Sequence, residues 1–293
     1  MPVIRVARLE NDPESENPAA AVMALMLSSA SQPIKEAPRN HVRIERTRPG
    51  NPNGLTVDQH VFPLRSMQQF ADRTRRVATF EMTKGKSRQV GIKNAMFCAE
   101  RAWDQHTESI FMKRIEDKFQ EIVQPILRGR VHSIAPEQKR AIDRMFALWY
   151  MRARHRNLEA QEIQLNNVSG NALTKTEEEN LEMNNYVYVR SGGKMPARQF
   201  NGIRLQQLIN SYTREDLSAV TGWGVIHAQS GEFIVPDVPE HTIIPLSPQL
   251  ILAASHPDGT APESNVAVIN SALRSGCREY YFSRDLSKCR FAD

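Results

Sequence analysis

The chain has 293 residues, 40% of them hydrophobic and 24% charged, with a net charge of +5 and a pI near 9.2. That composition excludes a disordered chain and allows one large or two ordinary domains. The longest apolar run, Ala19 to Leu27, falls well short of the roughly 20 residues a membrane span needs. Acidic residues (Glu10, Asp12, Glu14, Glu16) precede it, where a secretory signal carries positive charge, so a cytoplasmic protein is expected.

Three cysteines, Cys98, Cys277 and Cys289, are too scattered for a disulfide framework, and none forms a Cys-x-x-Cys pair. Reduced thiols and no metal site are the expectation, and no motif specifies a cofactor.

Residues 1–57 read as an extension, and residues 58–293 as one α+β domain. Within the extension, Val3 to Leu9 is a short strand and Pro18 to Ser31 a helix, with proline in its first turn. "RTRPGNPNG" (47–54) is a loop. Leu64, Met67 and Phe70 recur at helical spacing and predict a helix from Pro63 to about Arg73. "RRVATFEM" and "SRQVGI" flank "TKGK", a hairpin turned at Gly85.

Two amphipathic helices follow. Glu108 to Leu127 carries a stripe of Ile115, Phe119, Ile122, Val123 and Ile126, and Gly129 is placed to end it. Pro136 to Leu158 carries Ile142, Met145, Phe146 and Trp149. "TKTEEEN" begins a further helix with Thr174 or Thr176 as its cap. "NYVYVR" alternates as a strand, and Phe200 to Tyr212 reads as helix. "WGVIHAQ", "EFIVPD", "TIIPLS" and "LILAAS" are short apolar runs broken by turns. They predict a small, mainly antiparallel sheet late in the chain, behind a helix-rich first two thirds. An amphipathic helix at "APESNVAVINSALRSGC" and a strand at "REYYFS" complete it.

Positive charge is uneven. Arg65, Arg73, Arg75, Arg76, Lys84, Lys86, Arg88 and Lys93 face only Asp72 and Glu81 between residues 65 and 93. A second cluster, Lys139, Arg140, Arg144, Arg152, Arg154 and Arg156, surrounds Asp143. Such runs suit an anionic partner such as nucleic acid, and equally a solvated face. His-Glu-x-x-His, Gly-x-Ser-x-Gly, the Walker lysine and the dinucleotide fingerprint are absent from the sequence.

The ordered motifs resemble those of the bacterial domain-of-unknown-function family numbered 4238. His60, Pro63, Leu64, Phe70 and Ala71 fall in step with that family's opening His-Tyr-Val-Pro-Arg-Phe-Tyr-Leu-Lys-Asn-Phe-Ala segment. Asn94, Glu100, Ile115-Glu116, Phe146 and Arg152 are similar to its middle motifs. Phe233, Asp237 and Pro239, "PLSP" and Asn270 are similar to its later ones. The likeness spans about residues 58–284. Two departures stand out: a Ser-Asp-Asn-Pro motif becomes Pro236-Asp237-Val238-Pro239, and an Arg-Thr-Pro motif becomes Arg152-Ala153-Arg154.

The candidate catalytic residues are His60, Asp237 and Glu116; Arg152, Asn270, Arg75 and Arg76 are candidate phosphate or substrate ligands. His60 is either a general base or a backbone-bonded residue at a helix entry. Asp237 is either a carboxylate held on a stiff loop for chemistry or a turn residue. Glu116 pairs with Lys113, Arg152 or solvent, and the Arg152 fork fits carboxylate and phosphate alike. Asn270 binds a ligand or bonds locally. Two readings follow: a nucleic-acid-directed effector or phosphodiester hydrolase, or a non-enzymatic binding or regulatory module that docks a partner on its basic face.

Overall fold

A computed structural model of the chain describes residues 6–8, 45–157 and 162–292. In chain order the strands and helices are β1 (Val6–Arg8), β2 (Asp58–His60), α1 (Leu64–Met67), β3 (Arg76–Glu81), β4 (Lys86–Gly91), β5 (Cys98–Glu100), α2 (Lys113–Leu127) and α3 (Lys139–His155). Then come β6 (Ile163–Gln164), α4 (Lys175–Met183), β7 (Tyr186–Tyr188), β8 (Lys194–Met195), α5 (Ala197–Arg214) and β9 (Trp223–Ala228). The series ends with β10 (Val235–Pro236), β11 (Ile243–Ser247), β12 (Leu250–Ala254), β13 (Gly259–Ala261), α6 (Glu263–Ser275) and β14 (Tyr280–Ser283). The expected helix at Pro18 to Ser31 lies outside the described residues.

The chain forms two compact units. The first draws on Met1–Gln59, Ala99–Arg114 and His155–Leu208, the second on His60–Cys98, Ile115–Arg154 and Ile209–Asp293. In the first unit β1 runs antiparallel to β7, with Val6 opposite Tyr188, and β6 pairs β8. Leu165, Val187, Val189, Met195 and Ile203 make its small apolar core. Thr174 caps α4: its hydroxyl accepts the Glu177 N–H while the Glu177 carboxylate accepts the Thr174 N–H at 2.7 Å. Those reciprocal bonds satisfy amides that a helix start leaves open. On α5, Gly202 has no space for a side chain, since a Cβ there would lie 1.7 Å from Asp104 Oδ2.

The second unit holds two four-stranded sheets. One has the order β10-β14-β3-β4 and is antiparallel throughout. The other has the order β11-β12-β9-β13, with β13 parallel to β9. Phe62, Phe70 and Phe97 gather on Phe282 of β14, with ring centroids 6.2, 5.9 and 5.6 Å away. Helix α2 buries Ile115, Phe119, Ile122, Val123 and Ile126, each contributing about 1.5–3 kcal/mol.

The expected α+β layout, helices first and a sheet late, is corrected. Among the described residues six α-helices alternate with several small sheets, and strands run from residue 6 to residue 283. The reason is long-range pairing. The β3–β4 hairpin forms where the sequence places it, with Gly85 at φ +60 in its turn. An isolated hairpin is at best marginal in water, and this one completes its sheet with β14, about 200 residues later. The helix expected from Pro63 to Arg73 shrinks to α1. After Met67 the backbone tightens into Gln69 N to Ser66 O and Phe70 N to Met67 O bonds, and these deliver Phe70 to the aromatic cluster.

Candidate functional site

All seven candidate residues fall in the second unit. Glu116 and Arg152 meet directly. Ile115 turns the apolar face of α2 inward, so Glu116 sits at the edge of that face. Its Oε1 accepts a hydrogen bond from Arg152 Nη1, in an ion pair whose arginine side chain is 1% exposed and whose glutamate is 21% exposed. A guanidinium so buried is tolerated only with a carboxylate beside it, because an uncompensated buried charge is very costly. Trp149 lies one turn earlier on α3, and its buried indole N–H has no partner among the described residues. Phe62, two residues beyond His60, packs on the Trp149 ring at 4.8 Å.

His60 Nε2 donates to the Ile92 carbonyl at 2.9 Å. A carbonyl only accepts, so this nitrogen carries the proton. The Ile92 N–H donates to the Arg75 carbonyl at 3.1 Å. One residue thus ties His60 to the Arg75–Arg76 turn.

Asp237 is buried, and both its oxygens accept backbone amides: Oδ1 from Arg278 at 3.0 Å and Oδ2 from Glu279 at 2.8 Å. Its own N–H donates to Tyr280 O. The carboxylate thereby fixes the link from α6 into β14. Burial, and next the Asp237 charge, push the neighbouring Cys277 thiol far above its usual range. Sheet register separates Asp237 from the basic turn. Tyr280 stands opposite Glu81, while Arg76 begins β3, five residues and about 17 Å along the strand.

Asn270 is fully buried and serves the backbone. Its Oδ1 accepts the Ile234 N–H at 3.0 Å, and its Nδ2 donates to Glu232 O at 2.9 Å and Arg290 O at 3.0 Å.

The two basic clusters differ once folded. On α3, Lys139 pairs with Asp143, Arg152 with Glu116, and Arg154 with both oxygens of Glu240 at 3.0 Å. Asp143 also accepts the Trp223 indole N–H at 2.8 Å, a buried contact that no spacing in the sequence announces. At the turn end of the β3–β4 hairpin, Lys84 and Arg88 share Glu81. At the other end Arg73, Arg75, Arg76 and Lys93 are exposed. The turn's own carboxylate, Asp72, accepts the Thr74 N–H, the Thr74 hydroxyl and the Arg76 N–H at Oδ1. Those bonds, the Arg76 amide first, hold its carboxyl below the usual range.

The first unit contains an ionic network that sequence reasoning did not single out. Glu178, Glu179 and Glu182 of α4 are all buried, and they face Arg48, Arg101, Arg190 and Arg198. The "EEEN" run was legible only as a charged helix start; the arginines it meets are up to about 130 residues away in sequence. Beside the network, burial and then the Glu182 charge lift the Asp104 carboxyl to about 6, against the bonds it accepts from Thr107. Burial, and next the Arg114 charge, push His106 down to about 4. Both of its ring nitrogens are buried without a hydrogen-bond partner among the described residues.

Among the described residues no three His, Cys, Asp or Glu side chains are grouped to hold a metal ion. No described helix is long and apolar enough to cross a membrane. No family model, no curated protein and no solved structure matches the chain.

Proposed function

We propose that the second unit is a binding module that docks the phosphate backbone of a nucleic acid on the Arg73, Arg75, Arg76 and Lys93 corner. The observation that carries this reading is the exposure of four cations around one turn that supplies a single carboxylate, Asp72, whose Oδ1 is bonded by that turn's own Thr74 and Arg76. Phosphate contacts by Lys and Arg supply most non-specific nucleic-acid affinity. Lys86 and Arg88 lie on β4, an edge strand where charge blocks pairing with other sheets, but on the face that carries Glu81, so the proposed surface is confined to the Arg73–Arg76 corner and Lys93. Binding is favoured over hydrolysis because Asp237, the carboxylate a hydrolytic site would use, accepts backbone amides with both oxygens. The resemblance to family 4238 belongs to the same proposal and adds no activity to it.

The test is anisotropy of labelled single- and double-stranded oligonucleotides across a salt series, for the wild type and for Arg73→Gln/Arg75→Asn/Arg76→Gln/Lys93→Gln. Asn is chosen at position 75 because the backbone there has φ 59, which Asn tolerates. Each phosphate that is no longer neutralised should flatten the slope of log K against log salt by about 0.7–0.9. An unchanged slope in the quadruple variant, or no binding by the wild type at low salt, would overturn the reading.

A further inference from the structure

We propose that Lys175, Arg190 and Arg198 of the first unit form a carboxylate-binding site, and that Glu45 is its resident, displaceable occupant. Glu45 Oε1 accepts hydrogen bonds from Lys175 Nζ at 2.9 Å and from Arg190 Nη2, and Oε2 accepts one from Arg198 Nη1. Arg101 Nη1 donates to the Glu45 main-chain carbonyl at 3.4 Å. Side chain and backbone of one residue are therefore read by four cations, as a bound ligand would be.

Two of the three cradle cations are held by partners other than Glu45. Arg190 is held by both oxygens of Glu178 at 2.6 Å and by Glu162 at 2.5 Å. Arg198, 2% exposed, donates to Glu182 at 2.7 Å and to the Tyr188 hydroxyl. Lys175 is the first residue of α4, directly after its Thr174 cap. Donors fixed by other partners bind an incoming anion without the cost of ordering them. Without Glu45, among the described residues the cations Arg48, Arg101, Lys175, Arg190, Lys194 and Arg198 share Glu162, Glu178, Glu179 and Glu182. The excess positive charge then calls for an anion. Burial raises the Glu45 carboxyl, but Arg198, Lys175 and Arg190 outweigh that and hold it at about 2, so it is a carboxylate at any working pH.

Displacement is open from the solvent side. The Glu45, Lys175 and Arg190 side chains are 30%, 33% and 21% exposed, whereas Arg198 and Glu182 close the floor. No residue from Glu45 to Gly50 is buried. This segment is held by polar contacts, with Arg48 donating from its N–H and Nε to Glu179 and from Nη1 to Thr176. Swinging the Glu45 side chain out toward solvent uncovers no apolar core and leaves the Arg48 bonds to the buried Glu179 in place. The ligand class is a carboxylate, because two oxygens in one plane satisfy the donors that Glu45 satisfies.

The experiment is thermal unfolding of the wild type, Glu45→Ala and Glu45→Ala/Lys175→Met in formate, acetate, phosphate and chloride at equal ionic strength. The expected result is a lowered Tm in Glu45→Ala that recovers saturably with formate or acetate. The wild type should not respond, and Lys175→Met should weaken the recovery. A response equal to that of the wild type, or to that in chloride, would overturn the proposal and leave Glu45 a structural ion-pair partner. Recovery by phosphate alone would overturn the carboxylate assignment. If Glu45→Ala does not fold, Glu45→Gln carries the comparison: its Tm should rise with formate while the wild type stays level, and no difference between them refutes the site.

Discussion

Asn270→Ala is expected to be among the most damaging single truncations in the second unit. The side chain satisfies three backbone groups, Ile234 N–H and Glu232 C=O in the buried interior and Arg290 C=O at its partly buried edge. Truncation strands all three. Each buried group left unpaired costs about 1–3 kcal/mol, and a water entering the vacated space recovers part of that, so a loss of about 3–5 kcal/mol is expected. That is a large fraction of the 5–15 kcal/mol typical of a folded domain. Asn270→Asp separates the two halves of the amide. Its carboxylate still accepts from Ile234, but sets an oxygen against the Glu232 and Arg290 carbonyls. At neutral pH it should therefore be at least as damaging as Ala, and it should improve in acid as the carboxyl gains a proton to donate. Urea midpoints by circular dichroism give the global effect, and hydrogen exchange at the Ile234 amide gives the local one. A cost below about 1 kcal/mol for Asn270→Ala, with Ile234 exchange unchanged, would refute the reasoning.

Other outcomes follow in the first unit. Gly202→Ala should lower stability by several kcal/mol, roughly the cost of overpacking plus a broken buried bond. Its Cβ would fall 1.7 Å from Asp104 Oδ2 and 2.5 Å from Thr107 Oγ1; Asp104→Ala in the same chain should return part of the loss, and additive effects would argue against direct contact. The Asp104 carboxyl, at about 6 against an ordinary 3.8, keeps its proton longer folded than unfolded. Its contribution is complete below about pH 3.8 and is lost as pH rises through 6. His106, at about 4 against 6.5, runs the other way: its contribution is complete above pH 6.5 and is lost as pH falls through 4. The two oppose each other between pH 4 and 6, so the wild-type profile should be nearly flat there. Asp104→Asn should gain on the wild type by about 3 kcal/mol as pH rises from 4 to 7. His106→Gln should gain as pH falls from 6.5 to 4, and Tm profiles of both variants parallel to the wild type would contradict the assignments.

Elements set by neighbours in sequence were legible: the Gly85 hairpin, the Thr174 cap, the α6 helix and the strand at Tyr280. What closes the fold was not. Nothing local in "RRVATFEM" points to "YYFS" as its partner, because strand patterning encodes which face is buried and leaves the partner open. The same limit governs the candidate site. Asp237, Asn270 and Arg152 stood out because each falls in step with a motif of the family the chain resembles, and a polar group that folding buries must be paired. That rule does not say with what. Asp237 takes the amides of residues 278 and 279, Asn270 takes backbone on either side of its helix, and Arg152 takes Glu116. Glu178, Glu179 and Glu182 were passed over for the converse reason: a run of glutamates predicts solvent, yet here it meets arginines distant in sequence. A polar residue therefore points outward to a partner most strongly where exposed cations outnumber the carboxylates beside them, as at the Arg73–Arg76 turn, or where the chain itself fills a cationic cradle with a part-exposed residue, as Glu45 does.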